Sequence, residues 1–360
     1  MQSKLTRAWV EIDLGALRRN AAAMAARGGR LLPMIKADAY GLGAIRAARV
    51  LEKLDPWGYG VATVVEGAEL RESGIERPIL IVTPLLDDDL PEAHRWRLTP
   101  SLGRPEAIAR WKSLGGGEWH LSIDTGMSRA GIRWDDVESV RDLVASSPPE
   151  GAFTHFHSAA WDAASVSEQR RRFEEAVSRL PARPRLLHAE NSAAIERVQA
   201  TQWDLVRPGV FLYGVGSGEG SLSTPEPVAH VRARVVDLRA VLPGETVSYD
   251  ATYPVRGTAE RRVATLSIGY ADGYRRSLSS CGTVLIRGAS APVAGRVTMD
   301  MTMVDVTDIE CEIGDVATLI GRDGAQLLDM VSVAERAGLS PYELLTGLRG
   351  RLTRVYLEDA

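Results

Sequence analysis

Short apolar runs alternate with helix-like segments through roughly the first 200 residues of the chain. Runs rich in β-branched and aromatic residues predict eight strands, at residues 31–35, 58–62, 79–82, 97–100, 119–123, 151–156, 185–188 and 204–206. Good helix formers with apolar residues at helical spacing predict helices between several of them, at residues 45–54, 64–74 and 165–180. Eight strands alternating with helices favour an α/β fold with a (β/α)8 barrel, and an open doubly wound sheet is the alternative.

The pattern changes after a segment that separates two regions of the chain. Residues 214–227, GVGSGEGSLSTPEP, have a composition that supports neither a helix nor a central strand. Beyond them the sequence predicts strands at residues 231–242, 261–270, 283–288, 292–306 and 315–321, and then helices at 325–338 and 340–350. We therefore predict a barrel of residues 11–230 and a mainly β domain of residues 231–360 together with residues 1–10.

Composition excludes several classes of protein. Hydrophobic residues make up 45% and charged residues 25% of the 360 residues, as in ordinary globular chains. The formal net charge of -4 argues against a general nucleic-acid binder. No apolar run approaches the ~20 residues of a membrane span, and the N-terminus has no signal-peptide pattern. With only 2 cysteines, we expect a cytoplasmic protein with neither a membrane nor a nucleic-acid partner.

Polar and charged residues follow the predicted strands where a barrel places its active site, at the carboxyl ends. Lys36 follows the first strand, Arg129 lies beyond the fifth, and His155, His188 and Arg207 belong to the last three. A lysine at the end of an apolar strand is partly desolvated, which favours the neutral, nucleophilic amine. A lysine whose ammonium simply reaches out to solvent is the plainer alternative.

Turns with small and polar residues suggest a phosphate site near that lysine. Tyr40 stands between Lys36 and two glycine positions, and RPGVFLYG follows the eighth strand. With the pair Asn191 and Ser192, these turns offer backbone N–H groups and hydroxyls to a phosphate. A phosphate site beside a lysine able to form a Schiff base suggests pyridoxal 5'-phosphate as the cofactor.

The motifs, taken in order, resemble those of the alanine racemases. They are KADAYGLG, DTGMSRAG, THF, HAENSA, VRPGVFLYG, GETVSYDATY, IGYADG, GRVTMDM and SPYELL, and they extend over almost the whole chain. The resemblance implies a pyridoxal phosphate-dependent racemase of alanine, with a TIM-like barrel, a C-terminal β domain and active sites shared within a homodimer.

The resemblance also implies roles for individual residues. Lys36 would bond to the cofactor and serve as one base, and Tyr249 would be the second base, on the opposite face of the substrate and from the other subunit. Arg207 would face the pyridine nitrogen, with His188 orienting it and His155 packed against the cofactor ring. Groups implied to bind the phosphate are Tyr40, Ser192, Gly209, Val210 and Tyr342, with Asn191 behind them.

The substrate site is implied in the same way. Arg129 and the partner chain's Met299 would hold the carboxylate, and Tyr270 and Asp300 would line the entrance across the dimer. Ser122 departs from the family, which often has a carbamylated lysine there to position the arginine. That departure opens the alternative of a racemase with a broader range of amino acids.

Other functions compete with this interpretation. His155 and His157 would share one face of a strand and could begin a metal site, although we expect no metal. A pyridoxal phosphate-binding homeostasis protein would share the barrel and its lysine but lack the C-terminal β domain. A decarboxylase of the same fold type would be longer and would carry an acid in place of Arg207.

Overall fold

The computed structural model describes residues 7–348 and 350–358. Its strands are β1 (Ala8–Asp13), β2 (Arg30–Leu31), β3 (Tyr59–Val61), β4 (Ile79–Ile81), β5 (Thr99–Leu102), β6 (His120–Asp124), β7 (Ile132–Arg133), β8 (Gly151–Phe153), β9 (Leu186–His188), β10 (Leu205–Val206), β11 (Ala229–Val241), β12 (Thr246–Val247), β13 (Tyr253–Pro254), β14 (Arg261–Leu266), β15 (Thr283–Ile286), β16 (Ala289–Pro292), β17 (Thr302–Asp305), β18 (Val316–Asp323), β19 (Gln326–Leu328) and β20 (Thr353–Leu357).

The helices are fewer and lie mainly in the first region. They are α1 (Leu14–Ala25), α2 (Lys36–Gly41), α3 (Ala44–Leu51), α4 (Val64–Glu72), α5 (Leu90–Arg95), α6 (Pro105–Ser113), α7 (Arg141–Ser146), α8 (Ala163–Ser178), α9 (Ser192–Ile195), α10 (Met330–Arg336) and α11 (Pro341–Thr346). Within the described residues, none is long and apolar enough to cross a membrane.

Parallel strands form the barrel. β3, β4, β5, β6, β8 and β9 pair in that order, and β10 pairs with β2. Single parallel bridges, Met34 to Gly60 and Asn191 to Arg207, connect the pair to the two ends of the sheet and complete a ring of eight strands. Strands in the sheet are buried on both faces, as expected where helices cover the outside. The predicted α/β class with an N-terminal TIM-like barrel is confirmed.

The C-terminal region is a mainly antiparallel sheet, as predicted. β11 lies at its centre, between β1 and β18 and beside β14. Alternate residues of the first part of β11 are buried, which is the period of a strand with one face in a core. β1 also pairs in parallel with β20, so both ends of the described chain join this sheet.

The chain divides into two compact units. One comprises the chain up to Leu17, Tyr213–Val215 and the chain from Glu226 onward, and the other comprises Arg18–Leu212 and Gly216–Pro225. The domains predicted as 11–230 and 231–360 with 1–10 stay a prediction. Of those residues, 1–6, 349 and 359–360 lie outside the described part of the chain.

Two elements differ from the predictions in ways that matter locally. The predicted helix 325–338 begins instead as β19, because Gln326–Leu328 pairs with β18, and only then becomes α10. The predicted strand 292–306 is interrupted between Pro292 and Thr302. Gly295 there has a φ of 83°, outside strand geometry, and Thr298 bonds back to Met301 to close a turn.

Segment 214–227 contains no helix or strand, as its composition predicts. It is nevertheless held in place by Glu196, a buried residue beyond α9. The Glu196 carboxylate accepts hydrogen bonds from Ser217 N and from the Ser221 hydroxyl, each at 2.9 Å. The serines of this segment therefore anchor it.

Candidate active site

Lys36 begins an unusual turn. In α2 the four residues from Ala37 to Tyr40 have φ between 52° and 55°, which is left-handed backbone. This conformation is costly for residues with a Cβ, so surrounding contacts must hold it. Glu66 provides one of them, accepting from Ala37 N at 2.7 Å, and it also accepts from Ala62 N at 2.6 Å, directly after β3. The turn thus fixes Lys36 beside the carboxyl end of β3.

A cavity of about 240 Å³ lies at the carboxyl ends of β4, β6 and β8. Three predicted site residues line it, Lys36, Arg129 and His155, together with Ser122. Burial and the cation of Arg129 lower the pKa of Lys36, and the Glu66 carboxylate partly opposes them. Burial and neighbouring cations lower the pKa of His155 to about 3, so its imidazole is neutral near neutral pH. The cavity therefore combines an amine able to lose its proton with an uncharged ring.

Arg129 is a free cation at the edge of this cavity. Its side chain is exposed and forms neither a hydrogen bond nor an ion pair with the residues that the structure describes. A second cavity of about 260 Å³ lies on its other side, lined also by Ser122 and Arg104. Arg104 has its own partner, Asp87 at 3.0 Å. Arg129 is thus the guanidinium able to bind a carboxylate.

Arg207 lies buried next to the same cavity. Its guanidinium donates to His188 Nδ1 at 2.8 Å and to the backbone carbonyls of Thr154 and Ala189 at 2.7 and 2.8 Å. The ring of Phe153 stacks on His188 and faces the Arg207 guanidinium. Burial lowers the pKa of Arg207 to about 9, so it keeps its charge at neutral pH. The arginine is held rigidly as a charged donor.

Most of the residues predicted to bind phosphate belong to the same unit as Lys36, and one belongs to the other unit. The Ser192 hydroxyl accepts from Gly209 N at 2.8 Å. Asn191 caps α9 by accepting from Ala194 N, and its amide donates to a backbone carbonyl. A Cβ on Gly209 would lie 2.5 Å from the Tyr40 hydroxyl oxygen, so only glycine leaves room there. Val210 follows in the same turn, and Tyr342 lies in the other unit.

Gln169 joins the two segments that carry Arg129 and His155. Its side-chain amide, buried under α8, donates to Thr125 Oγ1 and to His155 O, both at 3.1 Å. Its oxygen accepts from His157 N at the same distance. The geometry of the cavity thus depends on α8 as well as on the strands.

Four further predicted residues lie in the other unit. Tyr270 N donates to Thr298 O, and the next residue donates to Met299 O, which brings Tyr270 and Met299 side by side. Tyr249 is 70% and Met299 52% exposed. Asp300 accepts from Arg351 at 2.8 Å. Tyr270, Met299 and Asp300 are therefore neighbours, and Tyr249 is exposed on a separate turn of the same unit.

The paired histidines do not share a strand face, so that expectation is wrong. The predicted strand 151–156 ends at Phe153, because the following backbone bonds to the side chains of Gln169 and Asn191. His155 lines the cavity, whereas His157 is exposed and bonds Ser158 at 2.6 Å. Across residues 7–348 and 350–358, no three His, Cys, Asp or Glu side chains gather as metal ligands.

Several supporting residues were not found from the sequence. Glu66 had a detectable signal, since Thr63 and Glu66 form a capping box at the start of α4. Gln169, His120 and Glu150 had none, because each contacts the site across the barrel rather than along the chain.

Two family models match successive parts of the chain. Residues 12–217 match the family model "Alanine racemase, N-terminal domain" and residues 228–356 match "Alanine racemase, C-terminal domain". The chain is 35% identical over 376 residues to an alanine racemase of Halothermothrix orenii, covering 99% of this chain and 98% of that protein. It is 37% identical to one of Sorangium cellulosum, covering 97% and 98%.

Solved structures agree with these matches. Alanine racemase from Bacillus anthracis with bound L-Ala-P has a TM-score of 0.90 and 29% identity, covering 98% of this chain and 95% of that one. The enzyme from Bartonella henselae with covalently bound pyridoxal phosphate has a TM-score of 0.88 and 28% identity, covering 98% and 100%. The resemblance inferred from the motifs is confirmed.

Proposed function

Because this chain belongs to the pyridoxal phosphate-dependent alanine racemase family, we propose that it interconverts L- and D-alanine with Lys36 and Tyr249 as two bases. The supporting observation is the convergence of Lys36, Arg129 and His155 on one cavity. Racemisation removes a proton from one face of Cα and returns one to the other, so it needs a proton acceptor and donor on each face.

Lys36 is suited to be one of these bases. Burial and Arg129 lower the pKa of its amine, so more of it is unprotonated near neutral pH. When bound, pyridoxal phosphate supplies the electron sink that makes the Cα proton of an amino acid removable. The residues around Lys36 fit that group, since the missing side chain at Gly209 lets the Tyr40 hydroxyl lie against this turn, and the Ser192 hydroxyl contacts Gly209 N.

Arg207 would set the reaction's outcome by facing the pyridine nitrogen. A guanidinium donates hydrogen bonds and does not give up its proton, so the ring nitrogen would stay largely unprotonated. That arrangement weakens the electron sink and favours racemisation over transamination. His155 would pack against the ring as a neutral imidazole.

The phosphate would bind to the group formed by the two turns and the start of α9. The hydroxyls of Tyr40 and Ser192 and the backbone of Gly209 and Val210 would supply donors, with Asn191 fixing the turn from behind. Tyr342 would complete the set from the C-terminal unit. Support comes from the hydrogen bond between Ser192 and Gly209 and from the cap that Asn191 forms on α9.

The second base and part of the substrate site would come from a partner in a homodimer. Tyr249 and Met299 are strongly exposed on their own unit, which suits residues that serve a neighbouring copy. Arg129, a cation with no partner in the described chain, would bind the substrate carboxylate together with Met299. Tyr270 and Asp300 would line the entrance.

A chiral assay tests the proposal. The purified protein should racemise alanine in both directions, and Lys36→Ala should abolish both. In Tyr249→Phe, racemisation should be lost in both directions, because each direction needs both bases, whereas exchange of the Cα hydrogen with solvent deuterium should persist for the enantiomer whose proton faces Lys36. Retention of both directions in Tyr249→Phe would show that Tyr249 is not the second base.

Broader specificity is a second candidate, favoured by the cavity beside Ser122. This cavity has a volume of about 260 Å³ and lies next to Arg129. A side chain longer than that of Ser122 would fill part of it. Assays with serine, lysine and arginine alongside alanine distinguish the two. A binding protein without catalysis would bind the cofactor through Lys36 and racemise none of these substrates.

A further inference from the structure

Two fully buried histidines contact each other behind Arg207. His188 Nε2 lies 2.8 Å from His120 Nδ1, while His188 Nδ1 lies 2.8 Å from Arg207. Both imidazoles are 0% exposed. Burial lowers the pKa of each ring, so both are neutral near neutral pH. The two neutral rings therefore form a hydrogen-bonded row that leads from Arg207 away from the cavity.

Arg207 determines the direction of both hydrogen bonds, the one to His188 and the one from His188 to His120. Arginine can only donate, so His188 Nδ1 accepts and the proton of His188 is on Nε2. That N–H can only donate to His120 Nδ1, which places the proton of His120 on its own Nε2. The neutral tautomers of the two rings are thus fixed by Arg207.

The row of buried groups that starts at Arg207 leads to a carboxylate at the opposite end of the barrel. His120 Nε2 lies 3.7 Å from Glu150 Oε2, an electrostatic contact longer than a hydrogen bond, and Arg185 pairs with the same carboxylate. His120 begins β6 and Glu150 immediately precedes β8, whereas Arg207 follows β10. The groups therefore extend from the amino ends of the strands to the carboxyl ends, where the cavity lies.

Close packing keeps the rings in this arrangement. A Cβ on Gly151 would lie 2.6 Å from His120 Cε1, so glycine makes the space that His120 occupies. Trp57 lies against His120 with ring centroids 5.3 Å apart, and Phe153 stacks on His188 at an interplanar angle of 14°. Neither ring can turn over without moving a neighbour.

We propose that His120 and Glu150 are positioning residues for the racemase reaction, which hold His188 in the tautomer that accepts from Arg207 and so keep the guanidinium aimed at the cofactor. The inference rests on the proposed function, in which Arg207 faces the pyridine nitrogen. Without an acceptor at His120, the Nε2–H of His188 loses its partner. The tautomer with the proton on Nδ1 would then meet an Arg207 N–H donor to donor.

Ring nitrogen-15 spectra of the full-length holoenzyme test the tautomers directly, since the chain has only 6 histidines. Wild-type His188 and His120 should each show a protonated Nε2 and an unprotonated Nδ1. A His188 protonated on Nδ1, or a doubly protonated His120, would overturn the proposal whatever the activity.

Kinetics test the consequence. His120→Leu should lower kcat about 10- to 100-fold with KM little changed, and His120→Asn, which keeps an acceptor at the δ position, should recover part of the loss. Glu150→Gln leaves the buried histidine pair intact and should lower kcat by a smaller factor. This variant tests the proposal if His120→Leu does not fold. His94→Leu, the same change at an exposed histidine, should leave kcat unchanged.

The outcomes separate the two proposals. An unchanged kcat in His120→Leu would refute a positioning role for His120. Absence of racemase activity in the wild-type protein, with the expected tautomers present, would instead refute the proposed function.

Discussion

Burial lowers the pKa of the Lys36 amine most, and two opposite charges shift it further in opposite directions. Arg129 lowers the pKa of the amine and Glu66 raises it, while burial acts in the same direction as Arg129. Glu66 also links the turn to β3, because its carboxylate accepts from Ala37 N in the turn and from Ala62 N directly after the strand. One residue thus holds the lysine in place and moderates its acidity.

Substitutions of these two charges should shift the reactivity of Lys36 in opposite directions. In the full-length protein freed of cofactor, Arg129→Gln removes a cation, raises the pKa of Lys36 and moves its reaction with pyridoxal phosphate to higher pH. Glu66→Gln removes an anion and moves the reaction to lower pH. The rate at which visible absorbance appears, followed against pH, measures both shifts.

Arg110→Gln provides the control for that experiment. Arg110 is an exposed residue of α6 and is not among the residues that line the cavity. Arg110→Gln should therefore react with pyridoxal phosphate with the same pH dependence as the wild type. Shifts of the same sign in Arg129→Gln and Glu66→Gln would contradict the assigned balance of charges.

The elements that carry the site are very short. β2 and β10 have only two residues each, and β3, β8 and β9 have three. Hydrogen bonds from side chains such as Gln169 and Asn191 take over where the strands stop. Apolar runs predicted where these strands lie, but their ends depend on partners elsewhere in the chain.

The turn after β10 provides a prediction about cofactor binding. Gly209→Ala would place a Cβ 2.5 Å from the Tyr40 hydroxyl oxygen and push that side chain away. The dissociation constant for pyridoxal phosphate should rise about 10-fold or more, since overpacking of this kind costs roughly 1–3 kcal/mol. Titration of the protein with the cofactor, followed by its absorbance, gives the constant.

Gly117→Ala is the matched substitution for that titration. Gly117 lies in an exposed loop, and a Cβ there would meet nothing within 4 Å. It should bind the cofactor as the wild type does. Equal affinity in the two variants would mean that Tyr40 and Gly209 do not form the phosphate site.

On the scale of the whole molecule, the proposal requires that two chains build each active site. If so, chains carrying only Lys36→Ala and chains carrying only Tyr249→Phe should complement each other. Random pairing on co-expression makes about half of the dimers mixed, and each mixed dimer has one site with both bases intact. We expect about a quarter of wild-type racemase activity.

Purified single variants mixed without chain exchange provide the baseline for this measurement. If both bases of a site came from the same chain, every site in a mixed dimer would lack one base. Activity of the co-expressed sample no higher than that baseline would therefore exclude shared sites.

The sequence by itself determined the class of the fold and the family. Apolar runs and helical spacing located the eight barrel strands, because burial on both faces leaves a continuous signal along each strand. Lys36 and Arg207 were candidates because each lies directly after such a strand, and the resemblance of the ordered motifs implied their roles. Residues 292–306 show where prediction from apolar runs fails, since Gly295 and Thr298 turn the chain within the predicted strand.

Only the tertiary structure decided which distant residues support the site. His120 and His188 are separated by 68 positions and Ala37 and Glu66 by 29, yet they share hydrogen bonds. Periodicity describes which face of an element is buried, not which element it will face. Closing the barrel brings these groups together, and burial then lowers the pKa of Lys36 and of His155, as their proposed roles require.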